Sequence, residues 1–311
     1  MILKRNFDPI KVIRYVWVEL TVVLLSAGMA VLLYRMEMLK WFLPFSVTGI
    51  LGSALAIFIA FRNNASYSRW WEARTLWGGI LNSSRIFARQ IINNADDAFQ
   101  AKKIDAQTAE SFKKELILRQ IAYAHALCLH LRQEKRWDTM TQYISPEEWD
   151  TIRNSHNIPN LLLLKQGHRV KDGIRAGILG SFDSIGLEPI MSSFQNAQGG
   201  CERIKNTPLM RQYHYFTRLF MYVFIITIPF SLIGDFSKMN MDVLTIPVSM
   251  VIIFVFAVIG KVGEVNEDPF ENRITDVPMS AIAITIERDL KTMLGMKEIP
   301  SSHAQKDGYL Y

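Results

Sequence analysis

The sequence contains little cysteine and none of the short motifs on which common catalytic sites depend. Only Cys128 and Cys201 occur among 311 residues, too few and too far apart for a disulfide framework or a zinc site. There is no Gly-rich phosphate loop, no Walker motif and no Gly-x-Ser-x-Gly elbow. The six histidines lack His-Glu-x-x-His spacing, and His125 and His130 point to different faces of one predicted helix. We therefore expect reduced, buried thiols, no metal or cofactor, and no enzymatic activity.

Charged residues are also sparse, at 21% of the chain against 50% hydrophobic residues, and the mean hydropathy is +0.11. A net charge of +6 raises the possibility of a nucleic-acid partner. However, the lysines and arginines are interspersed with acids and concentrate beside apolar runs, where they act as topology signals. This pattern favours a membrane domain joined to a soluble part of similar size, with no nucleic-acid partner.

Four apolar runs are long enough to span a lipid bilayer. Each approaches the roughly 20 residues that cross about 30 Å of hydrocarbon, although the third is short and can begin nearer Tyr215. The first run is long and has no small-residue cleavage site behind it, so we expect an anchor rather than a cleaved signal peptide. The predicted spans are residues 16–34, 41–61, 219–233 and 243–262.

The second run passes into a polar, aromatic segment without a turn residue, which predicts one long helix. Small residues recur at every fourth position on one stripe, at Gly52, Ala56 and Ala60, where other helices can approach closely. The neighbouring stripe contains Gly49, Ser53, Ile57 and Phe61. If identical helices stood in a ring and touched along the small stripe, the neighbouring stripe would face the axis like the wall of a pore. Ordinary helix packing is the simpler interpretation of this pattern by itself.

Flanking charge predicts the orientation of the spans. Basic residues precede the first span, whereas the loops before the second and fourth spans carry mixed charge, so both termini and the long middle segment should be cytoplasmic. The flanking residues that carry this prediction are Lys4, Arg5, Asp8, Lys11, Arg14, Arg35, Glu37, Lys40, Asp235, Lys238 and Asp242. We divide the chain into 1–61 with the first two spans, a helical cytoplasmic region 62–214, the last two spans 215–262, a cytoplasmic segment 263–300 and a disordered tail 301–311.

The middle segment reads as mostly helical, without sustained strand alternation. Residues 109–135 place apolar side chains at helical spacing with polar residues opposite. Ser145, followed by proline and two glutamates, predicts a helix start. The pairs Asp172-Gly173, Gly180-Ser181 and Gly199-Gly200 predict turns or helix ends.

Glu19 lies inside the first span, and an intramembrane carboxylate is a functional candidate. Its position near the cytoplasmic end equally fits pairing with Arg14 or solvation at the interface. The tryptophans divide into an interfacial pair, Trp17 and Trp41, and a group predicted to clamp cytoplasmic helices together, namely Trp70, Trp71 and Trp77.

Two motifs resemble those of the bestrophin family, specifically its prokaryotic group. The first is Arg69-Trp70-Trp71-Glu72, shortly after the second span. The second follows the fourth span, where Glu267-Asp268-Pro269-Phe270-Glu271-Asn272 is similar to the family's acidic and Asn-Pro-Phe-Gly segment. Asp276-Val277-Pro278 then resembles the Asp-Leu-Pro of bacterial members. The resemblance extends over nearly the whole chain.

The resemblance implies an all-α, homopentameric ion channel in which each subunit contributes its second span to a central pore. Matching to the family places Ser53, Ile57 and Phe61 at the apolar neck, where ions must shed water to pass. Ser53 stands where a large aliphatic residue is often found. A second, cytoplasmic constriction matches Thr207, in Thr207-Pro208-Leu209, where a hydroxyl replaces the family's apolar side chain.

The expected partners are a lipid bilayer and small monovalent ions, in a bacterial inner membrane. Anion (chloride) permeation is the family default, and cation (sodium) permeation is the open alternative because some bacterial members pass cations. A secondary transporter or a membrane sensor on the same scaffold is the alternative function. Inverted repeats and charged midplane ligands, which transporters often show, are not evident in the sequence.

Animal members of the family bind calcium through clustered carboxylates, and this chain departs from that pattern. Asp268 and Asp276 fall on matching positions, but Arg273 stands where an acid is expected. A guanidinium opposes a hard divalent cation, which needs several oxygen ligands. We therefore predict no calcium clasp of that type.

Currents through the purified protein in planar bilayers should be unchanged when free calcium is removed with a chelator and then restored. Magnesium at the same ionic strength is the control. Clear activation by calcium would contradict the prediction.

Overall fold

A computed structural model describes residues 1–2, 9–39, 41–301 and 308–309, and over these residues the chain is helical. The described part contains no β-strand, only an isolated bridge between Ile2 and Tyr309. The flanking charges Lys4, Arg5, Asp8 and Lys40, and most of the predicted disordered tail, lie outside the described residues. The α-helices are α1 Pro9–Tyr15, α2 Trp17–Arg35, α3 Phe45–Gln100, α4 Ala106–Leu131, α5 Asp138–Thr141, α6 Pro146–Ile152, α7 Ile158–Arg175, α8 Asp183–Asn206, α9 Arg211–Lys238, α10 Thr245–Val265 and α11 Met279–Met293.

The helices belong to two compact units. The membrane unit comprises the described residues from Pro9 to Arg69 together with Pro208–Asp268. The second unit, which we call the helical unit, contains residues 1–2, Trp70–Thr207 and the described residues from Pro269 onward. The helix α3 supplies residues to both. Four helices are long and apolar enough to cross a bilayer, namely Trp17–Arg35, Phe45–Gln100, Arg211–Lys238 and Asp242–Val265.

All four predicted spans are present, with two changes of boundary. The second span becomes helical only at Phe45, because Pro44 disfavours helical geometry at the residue before it. The third is longer than its apolar core and includes Pro229 in its interior. Continuation of the second span into a polar helix is confirmed, since α3 is unbroken for 56 residues.

Apolar contacts and paired polar groups hold the membrane unit together. The Thr48 hydroxyl donates to Ser231 Oγ at 2.9 Å in a buried position, and the Ser26 hydroxyl donates to the Ile226 carbonyl at 3.2 Å. Such bonds across helices stabilise packing where water is absent. The apolar core consists of Val23, Leu55, Ile59, Met221, Phe224, Ile225, Ile228, Leu232 and Ile253.

The helical unit is built around α4, as its amphipathic sequence predicts. The predicted apolar positions of α4 are all buried, from Phe112 to Leu131. The predicted start at Ser145 is confirmed, since its hydroxyl accepts from the Glu148 N–H at 3.1 Å. Both cysteines are free and buried, and burial raises the pKa of Cys201 to about 12, so that thiol stays protonated and inert.

One of the three pairs predicted as turns or helix ends is wrong. Gly180-Ser181 lies between helices and Asp172-Gly173 lies in the last turn of α7, but Gly199-Gly200 lies within α8. Gly173 and Gly200 also allow close packing, because a Cβ at Gly173 would approach Phe112 to 2.6 Å and one at Gly200 would approach Leu76 to 2.8 Å. Sequence pattern does not separate a packing glycine from a turn glycine, since both lack a side chain.

A buried carboxylate, Glu287 on α11, is satisfied by three donors. It is contacted by His125 at 3.0 Å, by the Tyr143 hydroxyl at 2.5 Å and by Lys291 at 2.8 Å. Burial by itself would raise the pKa of Glu287, but these hydrogen bonds outweigh it and lower the pKa to about 2. Because each carboxylate oxygen is engaged, the cluster is a structural joint between α4 and α11 rather than a proton-transfer site.

Replacing Gly173 by alanine should destabilise the helical unit, because Phe112 must move to admit the methyl group. Overpacking of this kind costs about 1–3 kcal/mol. Gly167→Ala in the same helix is the matched control, since nothing lies within 4 Å of its added Cβ. It should be neutral or stabilising by up to about 1 kcal/mol. Thermal melts followed by circular dichroism measure both, and equal midpoints for the two variants would contradict the packing assignment.

Candidate pore-lining face

One face of α3 is buried along the part of the helix in the membrane unit. Its buried positions recur at intervals of three or four, at Thr48, Gly52, Leu55, Ile59, Arg62 and Ser66. At about 100° per residue, these positions form one narrow stripe. The helix therefore has a well-defined opposite side.

The predicted neck residues lie on that opposite side. Ser53, Ile57 and Phe61 are all exposed, Ile57 by 56% and Phe61 by 65%. By helical rotation, Ile57 points about 180° away from the centre of the buried stripe. The same side continues through Asn64 and Ser68, which are also exposed. This side of α3 is therefore a line of side chains that the membrane unit leaves uncovered. The line is apolar at Ile57 and Phe61 and polar at Asn64 and Ser68.

The predicted stripe of small residues is divided between two environments. Gly52 packs inside its own chain, since a Cβ there would lie 3.1 Å from the Phe224 ring of α9. Ala56 and Ala60 are exposed on α3. Of the three small residues, Ala56 and Ala60 are the two that the chain itself leaves uncovered.

The hydroxyl of Ser53 is committed to its own helix, donating to the Gly49 carbonyl at 2.8 Å. The O–H group therefore does not donate a hydrogen bond to groups outside the helix. Intrahelical bonding of this kind lowers the effective polarity of a serine on a helix surface.

The predicted cytoplasmic position, Thr207, directly follows the last residue of α8. Its backbone is extended, with φ −112° and ψ 95°, and its N–H donates to the Arg203 carbonyl at 2.9 Å. The residue is exposed. It belongs to the helical unit, whereas the three neck residues belong to the membrane unit.

Within the helical unit, Trp70 of the first family motif contacts the chain between the second motif and Asp276. The indole N–H of Trp70 donates to the Thr275 carbonyl at 3.0 Å, while Phe270 is buried within the main core. Trp77 is also fully buried, as a clamp requires. The predicted clamping role is wrong for Trp71, which is 55% exposed, because the helical period turns it away from the buried side that Trp70 and Trp77 share.

Asp276 closes a turn within its own segment. Its Oδ2 accepts from the Arg273 N–H at 3.0 Å, and Thr275 lies 3.4 Å from Oδ1. Burial raises the pKa of Asp276 above its ordinary value. Among the described residues, no group of three or more His, Cys, Asp or Glu side chains is arranged to hold a metal ion.

Sequence reasoning missed a buried charge immediately after the neck. Arg62 is only 3% exposed, and its Nη2 lies 3.7 Å from Glu267 Oε2. The neighbouring Asn63 side chain donates to the Ile259 carbonyl of α10 at 2.8 Å. The helical period of α3 places Arg62 on the same face as Leu55 and Ile59, so the spacing of these residues predicts that Arg62 is buried. We missed this because residues after the end of an apolar run are normally expected to be exposed to solvent.

Comparisons with known proteins agree with these motifs. The family described as "Bacterial/Fungal Bestrophin protein" matches residues 9–292. The chain is 32% identical to the "Voltage-dependent anion channel-forming protein YneE" of Salmonella typhi over 289 residues, which cover 92% of this chain and 88% of that protein. The protein of the same name from Escherichia coli K12 is also 32% identical, over 83% of this chain and 78% of that protein.

Solved structures show the same fold. A crystal structure of a bacterial bestrophin homolog from Klebsiella pneumoniae matches with a TM-score of 0.81 and 29% identity. The match covers 91% of this chain and 100% of that one.

Proposed function

The chain belongs to the bacterial and fungal bestrophin family of ion channels, and we propose that it forms a passive channel for small anions. It is an integral membrane protein, with four helices of spanning length. Anion permeation is supported by the YneE proteins, which are named for anion channel formation. Ion passage rather than catalysis is the function of this family, and the buried Glu287 cluster, with its acceptors saturated, is consistent with that assignment.

The observation that carries the pore assignment is the uncovered side of α3. Ile57 and Phe61 are large apolar residues exposed on a span helix, directly opposite its buried stripe. In a homopentamer with five α3 helices around one axis, these residues would form two apolar rings. An ion would have to lose water to pass them, which allows gating by dewetting.

Ser53 would form a third, smaller ring. With its O–H bonded to the Gly49 carbonyl, it offers little hydrogen bonding to a passing ion. We therefore infer that the neck acts as two apolar rings at Ile57 and Phe61 with a wider approach at Ser53. Ala56 and Ala60, which are exposed and small, would contact the neighbouring α3, whereas Gly52 packs within its own subunit.

Thr207 is proposed as the second constriction. It is exposed directly after the end of α8, as a pore-lining residue would be. Five hydroxyls would line the passage there, so this position would contribute polar contacts rather than a hydrophobic barrier.

We propose that the protein lies in a bacterial inner membrane with both termini cytoplasmic. Lys11 and Arg14 precede the first span, whereas Arg35 is paired with Asp242 at 2.7 Å after it. The N-terminal flank of the first span is therefore the more positive one, and the positive-inside rule places such a flank in the cytoplasm. Segments 62–214 and 263–300 would then be cytoplasmic.

The reversal potential of the purified protein in bilayers should follow the chloride equilibrium potential under a tenfold potassium chloride gradient. Replacing chloride by gluconate should shift the reversal potential strongly, whereas replacing potassium by N-methylglucamine should shift it little. Reversal at the potassium equilibrium potential would contradict anion permeation. A flux that saturates and requires a coupled ion would instead favour a transporter.

Ile57→Ala or Phe61→Ala should widen an apolar ring and raise single-channel conductance by about twofold or more. Leu51→Ala is the matched control, because Leu51 is an exposed apolar residue on another side of the same helix and should leave conductance unchanged. Single-channel recording in bilayers measures all three. Unchanged conductance in both neck variants would place the barrier elsewhere, with Thr207 as the next position to test.

A further inference from the structure

A small cavity lies entirely within the membrane unit, and neither the family motifs nor the neck account for it. Its volume is about 90 Å³, comparable to about three water molecules in the liquid. It is unusual for an apolar unit in having five charged side chains on its wall. The lining residues are Glu19, Arg62, Thr217, Arg218, Met221, Tyr222, Ala257, Gly260, Lys261 and Glu264.

The charged residues all lie at the same end of their spans. Glu19 is in the first turn of α2, Arg62 follows the apolar part of α3, Arg218 precedes the apolar part of α9, and Lys261 and Glu264 lie in the last turns of α10. Apolar residues adjoin them on the span side. The cavity is therefore at the depth where hydrocarbon gives way to lipid headgroups.

Arg62 is the reason to expect a ligand. Although it is 3% exposed, its Nε and Nη2 have no hydrogen-bond partner in the structure. The nearest carboxylate oxygen, on Glu267, is 3.7 Å away, too far for a hydrogen bond. A buried guanidinium with open N–H groups is costly unless an acceptor is supplied.

The remaining charges define which ligand fits. Lys261 Nζ is paired with Glu264 Oε2 at 2.9 Å, so these two largely compensate each other. Arg218 is exposed at the cavity wall, and Glu19 is half-buried. Neither forms an ion pair within 4.0 Å among the residues that the structure describes. Within the described part of the chain, Arg218 and Glu19 are therefore unpaired charges at the cavity wall, while Arg62, whose charge is partly compensated by Glu267 at 3.7 Å, still has N–H groups without an acceptor.

We propose that this cavity, the headgroup site, binds the phosphate of a phospholipid, with the ammonium of an ethanolamine headgroup beside Glu19. The planar guanidinium fork of Arg62 matches phosphate oxygens, and Arg218 adds a second positive charge. The carboxylate of Glu19 would repel an anionic headgroup, but it can accept a hydrogen bond from the primary ammonium of ethanolamine. The quaternary ammonium of choline has no N–H and cannot donate such a bond. The volume holds the phosphate group, with the rest of the lipid outside.

The acyl chains have an apolar surface to follow. Leu219, Val223 and Ile226 are exposed on α9, on the membrane side of Arg218. The proposal concerns lipid recognition and does not depend on which ion the channel passes.

Native mass spectrometry of the full-length protein, purified in mixed micelles containing equal amounts of ethanolamine, choline and glycerol phospholipids, tests the site. Wild-type protein should retain the ethanolamine lipid preferentially, at up to one molecule per chain. Arg218→Gln, a surface change, should reduce this retention about tenfold, and Arg62→Gln at least as much. Glu19→Gln should remove the preference for ethanolamine over glycerol headgroups. Lys238→Gln is the control, because Lys238 is a basic surface residue at the other end of α9.

Equal ethanolamine-lipid retention by Arg218→Gln, Arg62→Gln and the control would overturn the proposal. Inorganic phosphate is the competing probe, since it offers the same oxygens without a lipid. If millimolar phosphate displaces the lipid and stabilises lipid-free protein in thermal melts, the ligand is free phosphate and the lipid assignment is wrong. Size-exclusion elution and helical circular dichroism confirm that each variant is folded.

Discussion

The burial of one face of α3 is the constraint on which the rest of the membrane unit depends. Thr48, Gly52, Leu55 and Ile59 hold that face against the other spans, through the Ser231 hydrogen bond and the Phe224 ring. Because an α-helix has only one opposite side, fixing this face also fixes which residues are uncovered. The apolar exposure of Ile57 and Phe61 is therefore a consequence of packing elsewhere on the helix.

Several polar groups within the membrane unit find a partner in the protein, as hydrocarbon requires. Thr48 and Ser231 satisfy one another, Ser26 uses a backbone carbonyl, and Asn63 ties α3 to α10. Gly263 makes the last contact possible, because a Cβ there would lie only 2.0 Å from Asn63 Oδ1. Among the described residues, Arg62 has two nitrogens without a hydrogen-bond partner, and the buried hydroxyls of Ser66, Thr245 and Ser249 also have none. The proposed headgroup site would supply acceptors to Arg62.

Much of the architecture could be predicted from local pattern. The four spans, the amphipathic helix α4 and the Ser145 cap all depend on side-chain periodicity or on hydrogen bonds between near neighbours, which a sequence displays directly. Gly200 was misread, and the packing role of Gly173 was missed, because both roles depend on Phe112 and Leu76, which are remote in sequence. Trp71 was misread because a motif of adjacent residues was assigned one role, although neighbouring positions on a helix point in different directions.

The sequence by itself determined that the chain crosses a membrane, that the second span continues as a long helix and that its motifs resemble those of bestrophins, because hydropathy, helical period and short motifs are local properties. Only the tertiary structure decided that Gly52 packs internally while Ala56 and Ala60 do not. The same is true of the Ser53 hydroxyl, which donates to a carbonyl of its own helix. The tertiary structure also decided that Arg62 is buried without hydrogen-bond acceptors for two of its nitrogens. Burial and hydrogen bonding depend on contacts between residues that are remote in sequence, and these contacts form only when the helices pack together.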